Sequence, residues 1–158
     1  HIIAVSAGIN SDARILIEKA RILAQQHRVN YGSAPNTESI VRDIADIKQQ
    51  FTQYGGARPF GVSMMFAGFN EGPVLYTTDI TGNYLKYNAN VIGENDEKIK
   101  KILREKYKEG LNGKEAVKLA LEIFKEVQGK DFDLSRFEIG IIQNRKITQL
   151  SGKDITNS

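Results

Sequence analysis

Side chains that could break or form bonds are few here and poorly placed for it. The chain has 158 residues, two histidines (His1 and His27) and no cysteine. That excludes a disulfide framework, a thiolate metal site and a thiol nucleophile. No second histidine stands at zinc-site spacing from either one, and His27, near a helix end, suits the helix dipole or water better than a metal. Ser6 and Ser63 have no base nearby in sequence, which leaves only a triad assembled in space. Asp12, with Arg14 and Arg21, reads as the capping and decoration of a helix. Ala67-Gly68-Phe69-Asn70 is too short for a phosphate loop and lacks that motif's lysine. Lys98, Lys100, Lys101, Arg104, Lys106 and Lys108 share their segment with Asp96, Glu97, Glu105 and Glu109, a mixture that describes a solvated helix face. No cofactor or metal is expected from such an inventory.

The elements that must position these residues show in the apolar spacing. Ile2 to Ala7 reads as a short buried strand broken by Gly8. A helix follows from Ser11 to about His27, with Asn10 or Ser11 as its cap and Ala13, Leu16, Ile17, Ala20 and Ala24 on one face. Tyr31 to Pro35 reads as a loop. Asn36 or Thr37 opens a second helix, with Ile40, Ile44, Ile47 and Phe51 aligned and Gly55-Gly56 ending it. Val62 to Phe69 is a continuous apolar run suited to a strand covered on both faces. Short strands at Val74–Thr78 and Tyr84–Tyr87 follow, separated by Asp79-Ile80-Thr81-Gly82. Two more helices are marked by Ile99, Ile102, Leu103 and Tyr107, and by Val117, Ala120, Leu121 and Phe124. Asn112 and Glu115 form a capping box before the second of them. Phe137–Gln143 and Ile147–Leu150 close the chain as strands joined at Asn144-Arg145.

The order is therefore strand, helix pair, three strands, helix pair, two strands. Each amphipathic pair needs a sheet face, so an α+β, four-layer αββα sandwich formed by residues 1–158 as one domain is expected. A hydrophobic fraction of 41% and a charged fraction of 26% suit a globular domain. A net charge of +3, dispersed along the chain, gives no argument for nucleic acid. No apolar run approaches the roughly 20 residues that span a bilayer. Ser11, Asp12 and Arg14 interrupt the first apolar stretch too early for a signal peptide. The chain opens in the middle of a strand, which reads as a processed or truncated start.

One string is far more specific than the rest. Lys48-Gln49-Gln50-Phe51-Thr52-Gln53-Tyr54-Gly55-Gly56, followed by Arg58-Pro59-Phe60-Gly61-Val62-Ser63, closely resembles the loop and strand of alpha-type subunits of the proteasome core particle. Tyr54-Gly55-Gly56 alone would read as an ordinary helix stop; the Arg-Pro-Phe-Gly continuation ties it to that family. Supporting matches are Ser6-Ala7-Gly8-Ile9, Ser11-Asp12-Ala13-Arg14, Ala20-Arg21, Ala24-Gln25, Tyr31, Ala67-Gly68, Gly72-Pro73, Leu75-Tyr76, Ile92-Gly93, Glu105 to Glu109 and Phe137-Glu138-Ile139-Gly140. The balance is similar to archaeal alpha subunits. One departure is Asp79-Ile80-Thr81-Gly82, where the family usually has Asp-Pro-Ser-Gly. Another is that the family's upstream strands, N-terminal helix and gating tail, with a lysine that receives activator tails, have no counterpart here.

The resemblance implies an N-terminal-nucleophile hydrolase type of fold, incomplete at its N-terminus, and a non-catalytic role. Alpha subunits form a heptameric ring stacked on beta subunits, which carry the threonine nucleophile. Tyr54, Gly55, Gly56 and Ala57 match the loop that narrows the entrance for unfolded protein substrates. Gly8 and Ile9 match positions near the pocket where activator tails dock, and the helix from Ser11 would lie at a ring-facing surface. Implied partners are other alpha subunits, beta subunits and a regulatory ATPase or activator, with neither nucleic acid nor membrane. A cytoplasmic location is expected, also nuclear in a eukaryote. A competing expectation is a beta-type or other N-terminal-nucleophile hydrolase, which needs a threonine, serine or cysteine with a free amino group at the mature start. An unrelated binding module is a third.

Overall fold

Alternating side chains on a strand face opposite sides of its sheet, and that alternation organises this molecule. The computed structural model describes residues 1–157. They form β1 (Ile2–Gly8), α1 (Asn10–Tyr31), α2 (Thr37–Phe51), β2 (Val62–Phe69), β3 (Pro73–Thr78), β4 (Tyr84–Tyr87), α3 (Asp96–Lys106), α4 (Gly113–Gln128), β5 (Glu138–Gln143) and β6 (Lys146–Ser151), with short 3-10 turns after α4 and β6. One sheet runs β1-β2-β3-β4 and a second pairs β5 with β6. All pairings are antiparallel, with Gly8 opposite Val62, Met64 opposite Thr78 and Leu75 opposite Tyr87.

Val62, Met64 and Phe66 of β2 point to one side and are buried. There they meet Ala13 and Leu16 of α1, Val41 and Ile44 of α2, and Tyr76 of β3. Each large apolar side chain removed from water contributes about 1.5–3 kcal/mol, so this layer carries most of the stability. The opposite side of the first sheet meets the second. A Cβ built on Gly140 of β5 would lie 2.7 Å from Ile3 Cδ1 of β1. Beyond β5, α4 packs alongside: a Cβ on Gly113 would lie 3.8 Å from Ile141, and Phe124 meets Phe137 edge-on at 5.2 Å. The α+β layering expected from the sequence is present. The second sheet is narrow, however, so α3 and α4 also face the first sheet directly. Ile99, Leu103, Ile123 and Phe124 share a cavity of about 250 Å³ with Val5 and Met65.

Several local expectations need correction. The N-cap of α1 is Ile9, with no side-chain cap bond, rather than Asn10 or Ser11. The chain enters the helix from a main-chain contact instead: Ile9 N–H donates to the Gly61 carbonyl at 2.9 Å. The same helix runs on to Tyr31 and stops at Gly32, whose φ of 69° is left-handed. α2 stops at Phe51, short of the glycine pair, because Thr52 turns back to the Gln49 carbonyl through both its N–H and its hydroxyl. The capping box at Asn112 and Glu115 forms as expected, with bonds of 3.0 and 2.9 Å. Asn144 and Arg145, with φ of 50° and 63°, make the tight β5–β6 connection.

The β3–β4 turn explains its retained glycine. Asp79 replaces a proline's stiffness with hydrogen bonds, its carboxylate accepting from Thr81 N–H, Thr81 Oγ1 and Asn83 N–H at 2.9, 2.7 and 3.0 Å. Gly82 has φ of 88°, and a Cβ there would lie 2.4 Å from the Ala45 carbonyl and 2.6 Å from Gln49 N. The turn therefore lies directly on the α2 backbone. Gly82→Ala is expected to destabilise the protein by more than about 1 kcal/mol in denaturant unfolding. Gly72→Ala, with nothing within 4 Å of the added carbon, should stay within about 0.5 kcal/mol. Equal effects would contradict this packing.

Candidate functional site

Residues 52–61 join α2 to β2 and carry the most specific string in the sequence. Aromatic rings join the two ends of this segment: Phe51 lies 4.7 Å from Phe60, which is buried, and 5.9 Å edge-on from Tyr54. The tip stands free. Tyr54 is 58% exposed, and Gly55, Gly56 and Ala57 are exposed beside it. Nothing lies within 4 Å of a Cβ built on either glycine, and Gly56 has φ of 83°. A bond from Ala57 N–H to the Tyr54 carbonyl, 3.3 Å, closes the tip. Its glycine at positive φ is a backbone requirement.

The far limb is tied down. Arg58 donates to both oxygens of Asp12, at 2.7 and 2.8 Å, and Gly61 N–H donates to the same carboxylate at 2.8 Å. Asp12 is buried while the Arg58 side chain is 62% exposed. Asp12 therefore does not simply cap and decorate its helix: it holds a distant loop. Its bond from Arg58, then that from Gly61 N–H, hold its pKa down to about 2 against the opposing effect of burial. Arg58 is pushed correspondingly upward by the same bond.

This tie brings together two segments singled out separately in the sequence. A Cβ on Gly8, where φ is 131°, would lie 2.3 Å from the Gly61 carbonyl. Gly8 and Ile9 thus pack backbone to backbone against the end of the Tyr54–Ala57 loop. Ile9 remains 45% exposed, its terminal carbon covering Gly61. Only glycine permits so close an approach at Gly8.

The remaining candidates stay apart. His27 Nδ1 bonds the Ser33 carbonyl at 3.1 Å and its ring contacts Tyr31 at 4.7 Å. His1 Nε2 bonds the Pro35 carbonyl at 3.1 Å. Neither ring is bonded to Ser6 or Ser63 among the described residues. Arg21 lies 3.6 Å from Glu18 on an exposed face. Lys100 pairs with Asp96, and Lys106 crosses to Glu126 of α4 at 2.6 Å, so the charged face of α3 is partly engaged. Among the described residues no group of three metal-ligating side chains gathers, and no helix is long and apolar enough to cross a membrane.

Two features that organise the site were not read from the sequence: the Asp12–Arg58 pairing and the burial of Lys48. Asp12 lies 46 positions from Arg58, and no local pattern spans that gap. Lys48 carried a signal, since it stands four positions after Ile44 on the apolar face. The loop presents a phenol, bare peptide groups and a braced guanidinium. Such a surface suits contact with another chain.

Comparison with known proteins adds the following. The family model described as proteasome subunit matches residues 1–142. Proteasome subunit alpha of Pyrococcus horikoshii is 41% identical over 157 residues, covering 98% of this chain and 60% of that relative. The subunit alpha of Picrophilus torridus is 40% identical over 141 residues, 89% of this chain and 60% of the relative. That of Methanosarcina thermophila is 36% identical over 161 residues, 99% and 65% respectively. The chain thus spans less than two thirds of the length of these curated relatives.

The Asp12 tie has a pH signature. A carboxylate whose folded pKa is depressed adds stability that is present above its ordinary value near 3.8 and is lost as pH falls towards about 2. Asp12→Asn should therefore lower the melting temperature at pH 5, with the gap to the parent closing by pH 2. A gap unchanged between those pH values would show that Asp12 is not held as described.

Proposed function

The chain belongs to the proteasome subunit family, and we propose that it acts as an alpha-type, non-catalytic ring subunit that narrows the path of unfolded protein into a proteolytic chamber. One observation carries this reading: an exposed tyrosine-diglycine tip, Tyr54-Gly55-Gly56, stands on a loop whose exit limb is bonded to the buried Asp12. A constriction needs both properties. The tip must be free to meet a passing chain, and its base must not move when the chain pulls. Similarity to named archaeal alpha subunits supports the assignment of type.

In this reading residues 1–158 form one alpha-type domain. It stands beside other alpha subunits in a heptameric ring, on a ring of beta subunits that perform the hydrolysis. Gly8 and Ile9 lie near the seat of a regulatory ATPase or other activator. Their packing against Gly61 supports this, because it offers a direct mechanical route between that seat and the loop. A cytoplasmic setting suits such a role.

Replacing Tyr54 by glycine in the assembled particle should change the entry rate of long unstructured substrates and affect hydrolysis of short peptides less. Unchanged handling of both would remove Tyr54 from the aperture. The purified chain alone should show no peptidase activity, and turnover that persists through removal of contaminants would refute the non-catalytic assignment.

A further inference from the structure

Lys48 occupies the last turn of α2 and is fully buried, 0% exposed. A buried ammonium is costly unless its protons are paired. Here Nζ donates to the Val62 carbonyl at 2.8 Å, to Thr78 Oγ1 at 2.9 Å and to the Asp79 carbonyl at 2.9 Å. An ammonium has three protons, so donors and acceptors match one for one. No acceptor is a carboxylate. β2 offers a main-chain carbonyl and β3 a hydroxyl. The charged group that acts on the ammonium is the Asp79 carboxylate, which is itself bonded to Thr81 and Asn83. Asp12 of α1, on the same side of the sheet, is taken by Arg58 and Gly61.

The placement of these bonds matters more than their number. Val62 is the first residue of β2 and Lys48 lies three residues before the end of α2. The bond between them closes the base of the segment that carries Tyr54 to Ala57. The other two bonds fasten the same point to the end of β3 and to its turn, which lies on α2 through Gly82. We propose that Lys48 is the positioning residue of the Tyr54–Ala57 loop, holding the two ends of the loop together so that its tip keeps one place. Its consequence for substrate entry rests on the function proposed above; the positioning itself does not.

Titration separates this role from a merely structural one. Burial lowers the Lys48 pKa to about 8, with the Asp79 charge partly opposing. The neutral amine keeps two protons to donate and must accept from Thr78, so the clamp loses charge-assisted bonds as pH rises through that value. Global stability moves the other way. Between about pH 8 and the ordinary lysine value of 10.5, the unfolded chain binds the extra proton, so this group's contribution to stability rises with pH. A residue that served only general stability would not loosen the loop while the fold tightens.

The test is backbone hydrogen exchange, corrected for intrinsic rates, between pH 6.5 and 9.5. It uses the full chain in the assembly in which it is isolated. Amides of residues 52–61 should exchange roughly tenfold faster above the transition, the effect of losing a hydrogen bond to a charged group, while those of Met64 to Phe66 do not. Lys48→Met should show the fast rate throughout, with no transition. A pH-independent loop in the parent, or a transition that survives in Lys48→Met, would overturn the proposal. If Lys48→Met does not fold, nitrogen-detected titration of Lys48 Nζ in the parent decides. A midpoint near 8 shared with the Tyr54, Gly55 and Gly56 amides supports the clamp, and silent loop amides refute it. A clamp that passes these tests while Tyr54→Gly leaves substrate entry unchanged would sink the aperture reading alone.

Discussion

A buried carboxylate must find hydrogen bonds in place of water, and the way Asp12 does so shapes the functional end of this protein. It sits in the first turn of α1, where its charge also suits the helix dipole. Both oxygens are taken by Arg58, and one also by Gly61 N–H. The start of α1, the last residues before β2 and the end of β1 are thereby drawn to one place. The close main-chain approach of Gly8 to Gly61 follows from that convergence, as does the helix start at Ile9 without a side-chain cap.

The loop from Thr52 to Gly61 is thus rigid where it joins the fold and bare where it leaves it. Phe51 at the near end packs on the buried Phe60 of the far limb, Asp12 holds Arg58 and Gly61 of that limb, and Lys48 spans the two ends. Between them Gly55, Gly56 and Ala57 are exposed, and Tyr54 keeps an edge-on contact with Phe51. Contact residues are commonly carried on loops held by a rigid scaffold. Here the braces are polar and buried while the tip is exposed, so each can change separately.

Much of this could be read in the sequence, because much of it is local. The apolar spacing of Ile40, Ile44, Ile47 and Phe51 gave α2, and the Asn112–Glu115 pattern gave the start of α4. The apolar run Val62–Phe69 read as a strand covered on both faces; it is a strand with one face buried and the other half-buried. The family string around Tyr54 marked the loop itself. What stayed hidden was set by partners far along the chain. Arg58 stood in that string, but nothing nearby named Asp12 as its acceptor. The stop of α2 was misplaced because a threonine turning back on Gln49 ended the helix before the glycines could. Lys48 was visible as a lysine on an apolar face, yet its three acceptors lie on two strands and a turn that only folding brings together.

Asp12 and Arg58 act as one unit in holding the Tyr54–Ala57 loop, and a double-mutant cycle measures that directly. Asp12→Asn, Arg58→Met and the combined variant are compared in unfolding stability and in exchange of the residue 52–61 amides. Either change alone should free the loop, and the second should add little to the first, a coupling well outside error. Strictly additive effects on both readouts would show that the two residues act independently, and the tie described here would not be what holds the loop.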